Sequence, residues 1–211
     1  MNKNLEIAVV TVTPLLENCY ILHNGSDAVV FDPGGDYHKI KSFLTNNNLN
    51  VKYILATHGH FDHTGAIAEI KEDYNAKFYI HKDDMVLIDK GATHSAIYGV
   101  GVYKKPIPDV FLNDGDIIEE LGVKIKVIHT PGHTAGGVSF LIEELNILIS
   151  GDTLFYESIG RTDFETSNHS DIINSIRNKL YKLNDDINVL PGHGNSTTIG
   201  YEKINNPFVK L

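Results

Sequence analysis

Residues 51–63 read Val51-Lys52-Tyr53-Ile54-Leu55-Ala56-Thr57-His58-Gly59-His60-Phe61-Asp62-His63. A β-prone apolar run passes without a spacer into three imidazoles and a carboxylate within six residues. Side chains of that polarity cannot all enter a core. A loop leaving a strand can aim them at one point, with Gly59 letting the backbone turn closely. Nitrogen and oxygen donors at this density, without sulfur, suit zinc, iron or manganese. Three shorter segments repeat the pattern downstream: Thr130-Pro131-Gly132-His133-Thr134, Ser150-Gly151-Asp152-Thr153-Leu154 and Pro191-Gly192-His193-Gly194. Each puts one ligand-type side chain just after an apolar run, beside Gly or Pro. A single tetrahedral ion needs fewer ligands than the chain offers, so two ions are implied. An aspartate has two oxygens, which lets Asp152 bridge them.

Outward from these segments the chain reads as strands that end in chemistry. Residues 6 to 32 are β-prone, with turns at Asn24-Gly25 and Pro33-Gly34-Gly35. A helix is expected over 36–48 and another over 64–75, the latter capped by Thr64. A strand at 77–81, a helix over 82–98 and an irregular stretch with Pro106 and Pro108 follow. Further strands are expected at 116–118, 123–128, 138–141, 147–150 and 187–190. Ser170 is expected to cap an amphipathic helix carrying Ile172, Ile173, Ile176, Leu180 and Leu183. Strands meeting helices at both ends predict an α+β fold, an αββα sandwich of two mixed sheets packed face to face with helices outside. The site belongs at one edge of that sandwich.

No linker or low-complexity tract divides the 211 residues, which predicts a single domain over 1–211. A net charge of −9 without a Lys/Arg run argues against a nucleic-acid partner. Apolar runs are too short for a bilayer span, and the Met1 end shows no basic and apolar leader, so a soluble cytoplasmic protein is expected. Cys19, the single cysteine, excludes an internal disulfide and a cysteine-based zinc cluster; it reads as a small buried apolar residue. Of the 11 histidines, His23, His38, His81, His94 and His169 lie outside the motifs and are expected in surface or capping roles. His94 falls in a region, 82–110, with the reach to overhang the site, and is a candidate substrate contact. Arg161 and Asp163 read as a structural pair, with Arg161 also a candidate for a substrate carboxylate.

The sequence resembles the metallo-β-lactamase superfamily, with its His-x-His-x-Asp-His signature, and within it the glyoxalase II-like hydrolases. Glu17-Asn18-Cys19-Tyr20, Pro131-Gly132-His133-Thr134, Gly160-Arg161-Thr162-Asp163-Phe164 and Asn206-Pro207-Phe208 carry the second likeness. The resemblance assigns His58, His60 and His133 to one metal, and Asp62, His63 and His193 to the other, with Asp152 between them. It implies zinc, with iron or manganese as substitutes. It also implies hydrolysis of a small-molecule thioester such as S-lactoylglutathione by a metal-bridging hydroxide, with Asp62 steering the proton. The C-terminal helical region of full-length glyoxalase II, which helps bind glutathione, is not expected here. Three other readings share the resemblance: a persulfide dioxygenase using one iron on His58, His133 and Asp152, a lactonase or β-lactamase, and a non-catalytic metal-binding protein.

Overall fold

The computed structural model describes residues 5–210; the residues before them, where no leader is expected, lie outside that range. The chain forms two compact units. One comprises the chain up to Ile80 with Met85–Phe111, the other His81–Asp84 with the chain from Leu112 onward.

In the first unit, β1 (Glu6–Val12), β2 (Glu17–His23) and β3 (Asp27–Phe31) form an antiparallel meander. The predicted Asn-Gly turn is present: Asn24 Oδ1 accepts the Ser26 and Asp27 amides at 3.1 and 3.0 Å, and Gly25 has φ 83°. Helix α1 (Tyr37–Asn46) then returns the chain to β4 (Asn50–Leu55), parallel to β3. The short α2 (Phe61–Thr64) and α3 (Ile67–Tyr74) return it to β5 (Lys77–His81), parallel to β4. After α4 (Met85–Ile97), β6 (Val110–Leu112) completes a six-stranded sheet in the order β1-β2-β3-β4-β5-β6. Ile40 and Leu44 of α1 and Ile67 and Ile70 of α3 share one core cluster with Ile21, Val30, Ile54 and Phe78 of the sheet. Each such side chain contributes about 2 kcal/mol on burial. Because β3 and β4 run in parallel, the residues after them, Asp32 and Thr57, leave the sheet at the same edge.

The second unit contains β7 (Ile117–Glu120), β8 (Val123–His129), β9 (Val138–Ile142) and β10 (Ile147–Gly151), each antiparallel to the next. A small hairpin of β11 (Leu154–Phe155) and β12 (Ser158–Ile159) precedes α5 (His169–Asn178). Strand β13 (Asn188–Pro191) lies parallel to β10, and β14 (Thr197–Thr198) antiparallel to β13, before α6 (Ile199–Asn205). The register of β10 against β13 shifts between Ile149 and Gly151, so Ser150 is an extra residue in a bulge. Strand β9 opposes both its neighbours, so β8, β10 and β13 share one direction. His133, Asp152 and His193 follow their carboxyl ends on one edge of the sheet. Ile172 and Ile176 of α5 and Ile199 of α6 pack with Leu141, Leu148 and Val189 in this unit's core.

Two mixed sheets with flanking helices place the chain in the expected α+β class. Two helix starts differ from the sequence expectation. Thr64 closes α2, its hydroxyl donating to the His60 carbonyl at 2.9 Å, so α3 begins only at Ile67 and without a side-chain cap. Helix α5 is capped two residues before Ser170, by Asn168, whose Oδ1 accepts the Asp171 amide at 3.1 Å. Strands β6, β11, β12 and β14 and helix α6 span two to seven residues, too few to show a period. Among the described residues no helix is long and apolar enough to cross a membrane.

Candidate metal centre

In the first unit the ligand cluster grows from the ends of β3 and β4. Asp32, buried and held at φ 47°, accepts the Thr57 amide on Oδ1 at 2.7 Å and the Thr57 hydroxyl on Oδ2 at 2.7 Å. The same Oδ2 lies 3.1 Å from His63 Nδ1. That contact fixes the Nδ1–H tautomer and leaves the Nε2 lone pair, 3.8 Å from Asp62 Oδ2, able to take a metal ion. The single turn of α2 brings His63 back toward His60, whose carbonyl accepts the His63 amide at 3.1 Å. His58 Nε2 sits 3.0 Å from His60 Nδ1, and the His58 and His63 rings are 4.0 Å apart at their centroids. Asp62 Oδ2 is 3.8 Å from His63 Nε2. Buried Glu17 completes the surroundings, with Oε1 3.9 Å from His63 Nδ1. Gly34, read from sequence as turn chemistry, also serves a close backbone approach: a Cβ there would lie 1.4 Å from the Asp62 carbonyl oxygen.

In the second unit, one aspartate oxygen faces two imidazoles. Asp152 Oδ2 is 3.5 Å from His133 Nε2 and 3.7 Å from His193 Nε2. The Arg161 carbonyl accepts His133 Nδ1–H at 2.9 Å, which leaves the Nε2 lone pair able to take a metal ion. Gly160 passes so close to this strand end that a Cβ would lie 1.8 Å from the Asp152 carbonyl oxygen.

These separations bear on whether metal ions fit. Hydrogen bonds between such groups run to about 3.2 Å. Two ligands of one tetrahedral ion, each bonded at about 2.0–2.1 Å, stand about 3.3 Å apart. The 3.5, 3.7 and 3.8 Å pairs lie beyond good hydrogen bonds and near that ligand edge. Nitrogen and carboxylate donors, with Nδ1 of His63 and of His133 already held by oxygen acceptors, suit a divalent ion. The residues fit.

Each motif residue is therefore placed with the others of its own unit: His58, His60, Asp62 and His63 in the first, His133, Asp152 and His193 in the second. Arg161 forms the expected pair, its Nε and Nη2 donating to both Asp163 oxygens at 2.6 Å, with its guanidinium 4.3 Å from the Phe164 ring centre. His94 sits half-buried in the last turns of α4. Cys19 is buried, and burial next to Glu17 pushes its thiol well above the ordinary range, so it offers no thiolate at neutral pH. His23 and His81 are buried rather than on the surface, and His81 takes the other expected role, capping, with Nδ1 accepting the Asp83 amide at 3.3 Å. His81 stacks flat on His129, centroids 4.5 Å apart, and burial with that neighbour lowers its pKa. The sequence reading missed Asp32, Glu17 and Asp84 as supports. A carboxylate between a strand and Pro33-Gly34-Gly35 was the available signal for Asp32.

A profile of the metallo-beta-lactamase superfamily matches residues 12–193. Hydroxyacylglutathione hydrolase GloC of Haemophilus influenzae is 35% identical over 208 residues, covering 97% of this chain and 98% of that one. The solved structure of BLEG-1 B3 metallo-beta-lactamase aligns with a TM-score of 0.90 at 34% identity, over 97% of this chain and 99% of that one. TTHA1623, solved in a di-iron-bound form, aligns with a TM-score of 0.88 at 34% identity, over 96% of this chain and all of that one.

Proposed function

The chain belongs to the metallo-β-lactamase superfamily, and from that premise we propose a dinuclear metal-dependent hydrolase of thioesters, S-lactoylglutathione or a related hydroxyacyl thioester. The observation that carries the two-metal reading is the single Asp152 oxygen facing both His133 and His193 at ligand-edge distances. In this reading His58, His60 and His133 would hold one ion and Asp62, His63 and His193 the other, with Asp152 serving both. The superfamily profile runs through both units, which supports treating residues 1–211 as one catalytic domain. The name of the Haemophilus influenzae relative supports the thioester, and the di-iron form of TTHA1623 supports two ions. Zinc is the expected metal, iron or manganese the substitutes, and the cytoplasm the expected compartment.

When bound, the ions supply Lewis acidity and a hydroxide nucleophile at neutral pH. The chain's own residues do the rest. Asp32 and the Arg161 carbonyl keep His63 and His133 in the tautomer that presents Nε2. Asp62, at the start of α2 and half-buried, would take and pass on a proton at its carboxylate. A thiolate leaving group needs little general-acid help, which matches a site whose titratable groups are committed to ligation. Purified protein should contain two ions per chain by elemental analysis and hydrolyse S-lactoylglutathione equally well with and without oxygen. One iron per chain, with oxygen uptake on glutathione persulfide and no thioester cleavage, would instead establish the dioxygenase.

A further inference from the structure

We infer that Asp84 is a positioning residue for His133, an inference that rests on the metal-ligand reading above. Asp84 ends a short 3-10 turn, Lys82–Asp84, and is fully buried. Its Oδ2 accepts the Thr134 hydroxyl at 2.8 Å, and its Oδ1 accepts the Gly136 amide at 2.6 Å. Glycine at 136 is what admits the carboxylate, since a Cβ there would lie 2.7 Å from both Asp84 N and Oδ1. The same turn makes a second hold. His81, three residues earlier, stacks on His129, and the Ala135 carbonyl lies 3.0 Å from His129 Nε2. Thr134, Ala135 and Gly136, the three residues after His133, are thus each tied to the turn or to the ring stacked on it. Hydrogen bonds to a carboxylate are roughly twice as strong as neutral ones. A ligand loop must be held within about 0.5 Å to keep its geometry. Asp84 supplies that rigidity without touching the imidazole, so its removal should change how well His133 is presented more than whether the chain folds.

The variants separate these effects. Asp84→Ala loses both acceptors. Asp84→Asn keeps an acceptor for the Gly136 amide and turns its amide donor to the Thr134 hydroxyl, which can rotate to accept. Folding is checked by circular dichroism, zinc affinity by competition with a chromophoric chelator, and loop order by amide exchange of Gly136 in metal-free protein. The expected result is a 10–100-fold weaker affinity for one of two ions in Asp84→Ala, faster Gly136 exchange, and recovery to within about threefold in Asp84→Asn. Folded Asp84→Ala with wild-type affinity for both ions would overturn the inference, as would Asp84→Asn as impaired as Ala. Should Asp84→Ala not fold, Thr134→Val removes one bond at constant shape; a severalfold loss of affinity supports the inference and an unchanged affinity overturns it. A wild-type protein that binds zinc but cleaves no thioester leaves this inference standing and removes the proposed substrate. One that binds no metal removes both.

Discussion

Three donors converge on Asp32: the Thr57 amide, the Thr57 hydroxyl and His63 Nδ1. Each is buried, so deleting the carboxylate leaves them desolvated and unsatisfied, at about 1–3 kcal/mol apiece. Asp32→Ala should therefore lose roughly 3 kcal/mol in urea unfolding, and metal titration should show at least a tenfold weaker site. Gly34→Ala acts through shape alone. Its methyl would meet the Asp62 carbonyl, backbone against backbone, so the loop must shift and the chain should bind fewer than two ions by elemental analysis. Asp152→Ala should abolish thioester turnover with an unchanged circular dichroism spectrum, because the packed clusters of both units lie apart from that side chain. Cys19→Ser is the contrasting case. A buried thiol with a raised pKa does no chemistry, so turnover should stay near wild type while stability falls slightly.

At the scale of elements, the stacked His81–His129 pair gives a pH dependence with a definite sign. Burial first, and His129 second, lower the His81 pKa below its ordinary 6.5. Below about pH 6.5 the unfolded chain therefore binds this proton more readily than the native one. Stability from His81 is present above that pH and is lost as the pH falls toward the depressed native value. His81→Phe keeps a flat ring and removes the proton. Urea unfolding of the metal-free protein at pH 7.5 and 5.5 should show a smaller acid loss for the variant than for wild type. Helix α5 offers a purely structural counterpart: Gly132, at φ 140°, runs so close that a Cβ would stand 2.2 Å from the Ile172 amide nitrogen. Asn168→Ala, which removes the cap of α5, should cost about 1 kcal/mol and loosen the loop that carries His133.

Across the whole molecule, the candidate ligands were legible as a pattern because residues of ligand type cluster in short local motifs. His58, His60, Asp62 and His63 fall within six residues, and His133, Asp152 and His193 each stand beside Gly or Pro after an apolar run. The supports were not legible, since Asp32, Glu17 and Asp84 owe their roles to partners 25 to 52 positions away. Helix starts failed for a local reason: the Thr64 hydroxyl is taken by the His60 carbonyl at the close of α2, and Asn168, two residues before Ser170, supplies the cap of α5. Chelation tests the division between scaffold and ligands. Metal-free protein should keep its far-ultraviolet spectrum and lose turnover, and added zinc should restore it. The bulge at Ser150 adds a constraint of another kind. Side chains alternate across a strand, so removing one residue there would straighten β10 and carry the next side chain, Asp152, to the opposite face. The chain's tolerance of changes in length should be uneven as a result. A deletion scan should find codon 150 indispensable, although its serine contributes no ligand, while a residue lost from the Asn24-Gly25 turn should be borne with a modest loss of stability.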